Sequence, residues 1–220
     1  MNSKIIFIIV LTSFLFFSCG KAVKNEGVTE SKDGLTRLLE GNQRYLNSQQ
    51  FKSRKYDLRR AETGQSQKPF ALILSCADSR VPPEIIFDQG VGDLFVIRIA
   101  GNVVNDEVLA SVEYAVEHLG VTFIMVLGHE RCGAVSAAVK GGPNHSGHLE
   151  SIIKAITPAV EDAREQKGNV LDNAINANVA LVVKQLSISE PILKEIVNKG
   201  KLKIVGARYD LDDGKVEVLK

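Results

Sequence analysis

The sequence predicts an α/β fold: a single domain with a central, mostly parallel β-sheet flanked by helices, and an antiparallel strand at one edge. Two observations predict it. Residues 70–75 (FALILS) and 121–127 (VTFIMVL) are almost wholly apolar, of strand length, and lack the alternation of a half-solvated sheet. Between and after them lie segments with apolar residues at helical spacing, such as 106–119. The 220 residues are enough for one ordinary domain with a real core, and nothing repeats internally.

The N-terminal stretch stands apart from the fold. Lys4 is the only charge up to Cys19, and residues 5–17 are apolar except for Thr12 and Ser13. A run of thirteen residues is short for a bilayer span and suits a signal-peptide core. Residues 16–20 (FFSCG) put a small residue directly before a cysteine at the end of that run. This resembles a bacterial lipoprotein cleavage site, although Phe16 and Phe17 are bulkier than usual. On this reading residues 1–19 are a signal peptide with a lipobox-like end, and Cys19 is the site of lipidation. The protein is then exported, as a periplasmic or outer-membrane-attached lipoprotein of a bacterium. An ordinary signal peptide with an incidental cysteine is the alternative. Residues 20–33 (GKAVKNEGVTESKD) are polar and aperiodic and read as a flexible tether, leaving the domain at 34–220.

Within the domain, 34–47 is helix-like, with Leu35, Leu38, Leu39 and Leu46 at helical spacing. Residues 48–69 are polar and basic, and irregular or partly helical. The first strand, 70–75, follows Pro69. Residues 81–84 (VPPE) start a short helix, since proline suits a first turn. The second strand is 94–99 (LFVIRI). The helix at 106–119 presents Val108, Leu109, Val112, Ala115, Val116 and Leu119 on one face, and Gly120 ends it. The third strand is 121–127, and a helix follows at 132–140 until Gly141-Gly142-Pro143. Residues 151–165, 170–186 and 191–198 read as helices, and 203–209 (KIVGARY) as the fourth strand. A turn at 212–214 (DDG) leads into a short strand at 215–219, antiparallel to the one before.

Of 27 basic residues only Lys4 lies in the leader, so 26 basic face 26 acidic side chains in the remainder, well interspersed. No basic cluster marks a nucleic-acid partner.

Reactive groups in a parallel α/β sheet collect just beyond the carboxyl ends of strands. Two strand ends carry such residues here: Cys76-Ala77-Asp78-Ser79-Arg80 after 70–75, and Gly128-His129-Glu130-Arg131-Cys132-Gly133 after 121–127. If the two strands are neighbours, Cys76, His129 and Cys132 converge. Two thiolates and an imidazole make a good zinc set that leaves a fourth position open for water. Zinc lowers the pKa of bound water from about 15.7 toward 7. Spacing alone also admits a Cys76–Cys132 disulfide, a buried structural cysteine, and a plain surface ion pair between Asp78 and Arg80.

Those two motifs together resemble the paired signature of the β-carbonic anhydrases. The similarity extends to residues 35–45 (LTRLLEGNQRY), 92–98 (GDLFVIR), 100–102 (AGN), 108–119 (VLASVEYAVEHL) and 205–210 (VGARYD), roughly 35–219 in all. The resemblance implies the family's fold and its activity. That activity is the zinc-dependent reversible hydration of carbon dioxide to bicarbonate and a proton, through hydroxide held on one Zn2+ per subunit. Cys76, His129 and Cys132 match the ligands. Asp78 and Arg80 match a catalytic dyad in which the guanidinium keeps the carboxylate ionised and in place. In some members the aspartate lets go of the arginine and ligates the metal, so Asp78 is also a candidate ligand.

The subtypes closed by bicarbonate have a tryptophan three residues before the first ligand cysteine. Ile73 stands there, and the chain has no tryptophan. The plant-like, open subtype has a glutamine, a phenylalanine and a tyrosine at positions that Gln67, Phe95 and Tyr114 fill. The resemblance makes these three substrate-binding, with Gly133 admitting a backbone N–H close to substrate. It also implies a homodimer or a tetramer, with this pocket supplied partly across the interface. Membrane contact would run only through the N-terminal lipid anchor. Two further readings stay open: a related zinc hydrolase acting on carbon disulfide or carbonyl sulfide, and a non-catalytic zinc-binding scaffold.

Overall fold

The computed structural model describes residues 33–50, 56–141 and 147–220. The expected signal peptide, Cys19 and almost all of the tether lie outside the described residues. Five strands form one sheet: β1 (Ala71–Ser75), β2 (Leu94–Arg98), β3 (Phe123–His129), β4 (Lys203–Tyr209) and β5 (Val216–Val218). Among the described residues eight helices accompany it: α1 (Gly34–Leu46), α2 (Tyr56–Thr63), α3 (Pro83–Ile86), α4 (Asp106–Glu117), α5 (Gly133–Lys140), α6 (Leu149–Arg164), α7 (Val170–Ile188) and α8 (Ile192–Asn198). A single 3-10 turn, Ala100–Asn102, follows β2.

The strand order is β2-β1-β3-β4-β5. β1 to β4 are parallel to their neighbours, and β5 is antiparallel to β4, as the sequence predicts. Every residue of β1 and β3 is buried, which is why these strands read as unbroken apolar runs. Their side chains alternate between two layers. Leu72, Leu74, Ile124 and Val126 pack with Val112 and Val116 of α4, Val179 and Val182 of α7, and Leu193 of α8. Ala71, Ile73, Met125 and Leu127 pack with Leu38 of α1 and with Ile86 and Phe87 at α3. Each of these Leu, Ile, Val, Met and Phe side chains contributes about 1.5–3 kcal/mol when fully buried. The sheet is therefore covered on both faces, and reactive groups are left to its ends.

Capping sets the helices that flank the sheet. Asn105 Oδ1 accepts from Val108 N–H at 2.9 Å to start α4, and Asp106 and Glu107 lie in its positive first turn. Asn169 Oδ1 accepts from the N–H groups of Leu171 and Asp172 to start α7. α7 then sits close on the sheet, because Val179 lies over Gly128 of β3 and Gly206 of β4. A Cβ on either glycine would come within 2.5 and 2.7 Å of the Val179 methyls.

Several boundaries differ from the sequence reading. The third strand is Phe123–His129 and not 121–127. Val121 N–H instead bonds the Ala115 carbonyl at the end of α4. At the other end β4 pairs with β3 as far as His129 opposite Tyr209. Gly128 breaks the apolar run but not the strand, since its missing side chain is the room Val179 occupies. The region 48–69 contains one regular element among its described residues, the exposed helix α2. α6 starts at Leu149 and α7 runs on to Ile188.

The order 2-1-3 places a topological switch between β1 and β3. The chain leaves their carboxyl ends toward opposite sides, opening a crevice there.

Candidate metal centre

Cys76 directly follows β1, His129 is the last residue of β3, and Cys132 is the N-cap of α5. The switch point brings all three together. Their ligating atoms lie within 4.8 Å of one another, and the residues are only 4%, 0% and 1% exposed. The two sulfurs are 3.9 Å apart and both cysteines are free, where a disulfide needs about 2.05 Å. A tetrahedral zinc with Zn–S bonds of about 2.3 Å would span its two sulfurs by about 3.8 Å. The observed spacing fits.

The histidine is prepared as a ligand by its other nitrogen. His129 Nδ1 lies 2.8 Å from the Glu130 carbonyl, which can only accept, so Nδ1 carries the proton. Nε2 is then a bare lone pair, fully buried and without a hydrogen-bond partner. An orphaned acceptor in a dry site is costly unless something fills its place. A cation between Nε2 and two sulfurs would do so, and the donor set is the one zinc prefers.

The sulfurs share a proton. The Cys76 thiol is pulled down mainly by the hydrogen bond from Cys132, with the Gly101 N–H acting the same way against burial. That bond and burial push Cys132 up, while backbone N–H groups at the start of α5 oppose them. A divalent metal would take both sulfurs as thiolates and so couple its affinity to pH.

Asp78 and Arg80 stand beside this cluster as a fork. Arg80 Nε donates to Asp78 Oδ1 at 2.9 Å and Arg80 Nη2 to Oδ2 at 2.8 Å, while Arg80 N–H adds a third bond at 3.0 Å. These bonds, chiefly the guanidinium's, hold the carboxyl well below the usual carboxylate range. Asp78 Oδ2 is 3.9 Å from His129 Nε2, adjacent to the ligand set and engaged by Arg80.

The carboxyl end of β2 shapes the loop that carries Cys76 and Asp78. Arg98 Nε donates to the Cys76 carbonyl at 3.2 Å and Nη2 to the Asp78 carbonyl at 2.5 Å. Ala77 N–H bonds the Ile99 carbonyl, and Gly101 N–H donates to Cys76 Sγ at 3.3 Å. Asn178 of α7 holds the Gly101 carbonyl at 2.9 Å. Sequence reasoning assigned no role to Arg98, Gly101 or Asn178. A signal existed for two of them: Arg98 is a charge ending an apolar strand, and Asn178 is a polar residue within the stripe Ala174, Ile175, Val179, Val182.

The expected substrate residues fall elsewhere on the chain. Gln67 and Tyr114 line one surface depression of about 660 Å³ together with His118 and Leu119. The Phe95 ring lies 6.4 Å from that of Tyr114. None of Cys76, His129 and Cys132 lines this depression. Gly133 opens α5, and a Cβ there would meet nothing within 4 Å, so the chain leaves open space at this point. In a second group Glu130 and Asp212 pair with Arg131 and Arg208, while Asp210 Oδ1 accepts from the N–H groups of Asp212 and Asp213.

Comparison with known proteins agrees with this geometry. A family model described as carbonic anhydrase matches residues 71–216. Carbonic anhydrase 2 of Mycobacterium tuberculosis is 42% identical over 182 residues, which is 81% of this chain and 87% of that one. The carbonic anhydrase of Mycolicibacterium smegmatis is 40% identical over 184 residues, 82% of this chain and 89% of that one. Among solved structures, the β-carbonic anhydrase CcaA matches with a TM-score of 0.67 at 30% identity, covering 84% of this chain and 95% of that one. A Coccomyxa β-carbonic anhydrase in complex with acetazolamide matches with a TM-score of 0.67 at 29% identity, covering 86% and 87%.

Proposed function

The chain belongs to the β-carbonic anhydrase family, and we propose that it hydrates carbon dioxide reversibly at a zinc ion held by Cys76, His129 and Cys132. One observation carries the metal assignment: two sulfurs 3.9 Å apart and a buried, partnerless Nε2 meet beside an Asp78 that Arg80 keeps ionised.

When bound, zinc supplies Lewis acidity that brings the pKa of a coordinated water from 15.7 toward about 7. The protein's residues do the remainder. Two thiolates and a neutral imidazole cancel the metal's charge in a dry site. The Glu130 carbonyl fixes the imidazole tautomer. Asp78, ionised at neutral pH, accepts a hydrogen bond from the attacking solvent oxygen and so turns a lone pair toward the carbon of the substrate. Arg80 holds that carboxylate in one orientation by its two-pronged contact. The open space at Gly133 leaves room for substrate. Gln67, Phe95 and Tyr114 are assigned to a second wall completed between two copies of the chain, in the open-site subtype. The exposure of Tyr114, beside edge strand β2, supports this. Phe95 and Tyr114 would present apolar surface to a substrate without charge or dipole.

The test is stopped-flow carbon dioxide hydration with zinc quantified, on the wild type beside Cys132→Ser. Zinc-dependent activity in the wild type, lost with its zinc in Cys132→Ser, is the expected outcome. Turnover of carbon disulfide or carbonyl sulfide but not of carbon dioxide would transfer the site to those substrates. A wild type that binds no zinc would end the metal reading.

We place the enzyme outside the inner membrane, tethered through Cys19. Support comes from the apolar run at 5–17 and the small residue before the cysteine. Mass spectrometry of the mature N-terminus should show an acylated Cys19. An N-terminus at Met1 in a cytosolic fraction would refute this.

A further inference from the structure

Gly101 lies between the metal centre and helix α7, and each of its backbone groups serves one side. Its N–H donates to Cys76 Sγ at 3.3 Å, while its carbonyl accepts from Asn178 Nδ2 at 2.9 Å. The residue adopts φ 70, ψ 15, a left-handed backbone that favours glycine, and a Cβ here would come 2.7 Å from the Ile156 Cδ1 methyl.

Asn178 is 1% exposed on the otherwise apolar stripe of α7, and its Oδ1 has no partner among the described atoms. A buried amide with one satisfied end packs worse than an aliphatic side chain of its size would. The end that is satisfied points to its use. We propose that Asn178 is a positioning residue of the metal centre, which anchors the Gly101 carbonyl and thereby sets the Gly101 N–H on the Cys76 sulfur. It touches neither metal nor substrate. An N–H donated to a ligand sulfur fixes its position and orients its lone pairs, so the sulfur is held ready for the metal. Residue 178 thereby tunes a ligand 102 positions upstream through one backbone turn. The inference rests on the reading of Cys76, His129 and Cys132 as a zinc set.

The test uses 15N-labelled protein loaded with cadmium-113. A scalar coupling between the metal and the Gly101 amide proton, carried across the N–H···S bond, is expected in the wild type. Asn178→Asp, which puts an acceptor against the Gly101 carbonyl, is expected to lose the coupling. Its zinc affinity should drop about 10- to 100-fold in a chelator competition. Should that variant not fold, Asn178→Leu, an apolar near-isostere, decides by the same two readouts. No coupling at Gly101 in the metal-loaded wild type overturns the proposal. So does a folded variant that keeps both the coupling and an affinity within about twofold of wild type. A wild type that binds neither zinc nor cadmium removes the metal reading itself, and this inference with it.

Discussion

The crevice between β1 and β3 and the depression beside β2 both carry residues with chemistry, yet they are built differently. In the crevice Cys76, His129 and Cys132 are buried, and backbone groups from Glu130 and Gly101 fix two of them. In the depression Tyr114 is 47% exposed and Gln67 lies on a solvated connection. One chain finishes the first site. The second is open to solvent. The difference teaches where precision comes from: a ligand set needs atoms placed within tenths of an ångström, which only a packed sheet end provides. A solvated depression tolerates looser placement.

That contrast can be broken or sharpened by substitution. The largest effect is expected at Asp78→Asn, which keeps shape and loses the acceptor: kcat/KM falls about 10²–10⁴-fold while bound zinc is retained. Loss of zinc instead would make Asp78 a ligand and fold the dyad into the metal set. Next comes Arg80→Gln. Asp78 titrates below the ordinary carboxylate value because Arg80 stabilises its ionised form. The native contribution of that pair is therefore present at neutral pH and lost only as pH falls through the lowered value. Without the guanidinium, carboxyl 13C shifts should show Asp78 titrating higher than in the wild type. The hydration rate should fall by up to about 10²-fold from misplacement. An unmoved titration would mean the fork does not govern Asp78.

Tyr114→Ala should cost about tenfold in kcat/KM, with zinc content unaltered. A loss as large as that of Asp78→Asn would erase the distinction between the two regions. The smallest effect is expected at Arg131→Gln. Arg131 makes an equally two-pronged contact with Asp212, at 2.9 and 2.7 Å, but both partners face solvent. Hydration should stay within about twofold of wild type. A larger drop would show that Arg131, one residue before Cys132, governs the ligand loop.

Much of the fold was legible in the residues because buried parallel strands have to be apolar on both faces. The segment 70–75 announces itself for that reason, whereas Gly128 hid the end of β3. The candidate ligands were legible too, since cysteine and histidine directly after buried strands have few bland explanations in combination. Arg98, Gly101 and Asn178 were not. Their roles are hydrogen bonds to backbone carbonyls and a sulfur lying 20 to 77 residues away in the chain, and such contacts leave no periodicity.

By itself, then, the sequence determined which groups are available and on which kind of element each sits: two thiols, an imidazole and a carboxylate–guanidinium pair at strand ends of an α/β domain. Hydrophobic pattern and residue chemistry are local properties, readable in one dimension. The tertiary structure alone decided that β1 and β3 are neighbours, so that Cys76 meets Cys132 at 3.9 Å across 56 residues. It also decided that the Glu130 carbonyl selects the imidazole tautomer, and that the Gln67–Tyr114 wall lies apart from the ligands. Strand order, tautomer and spacing all come from pairings between distant segments, and only packing the whole sheet chooses among them.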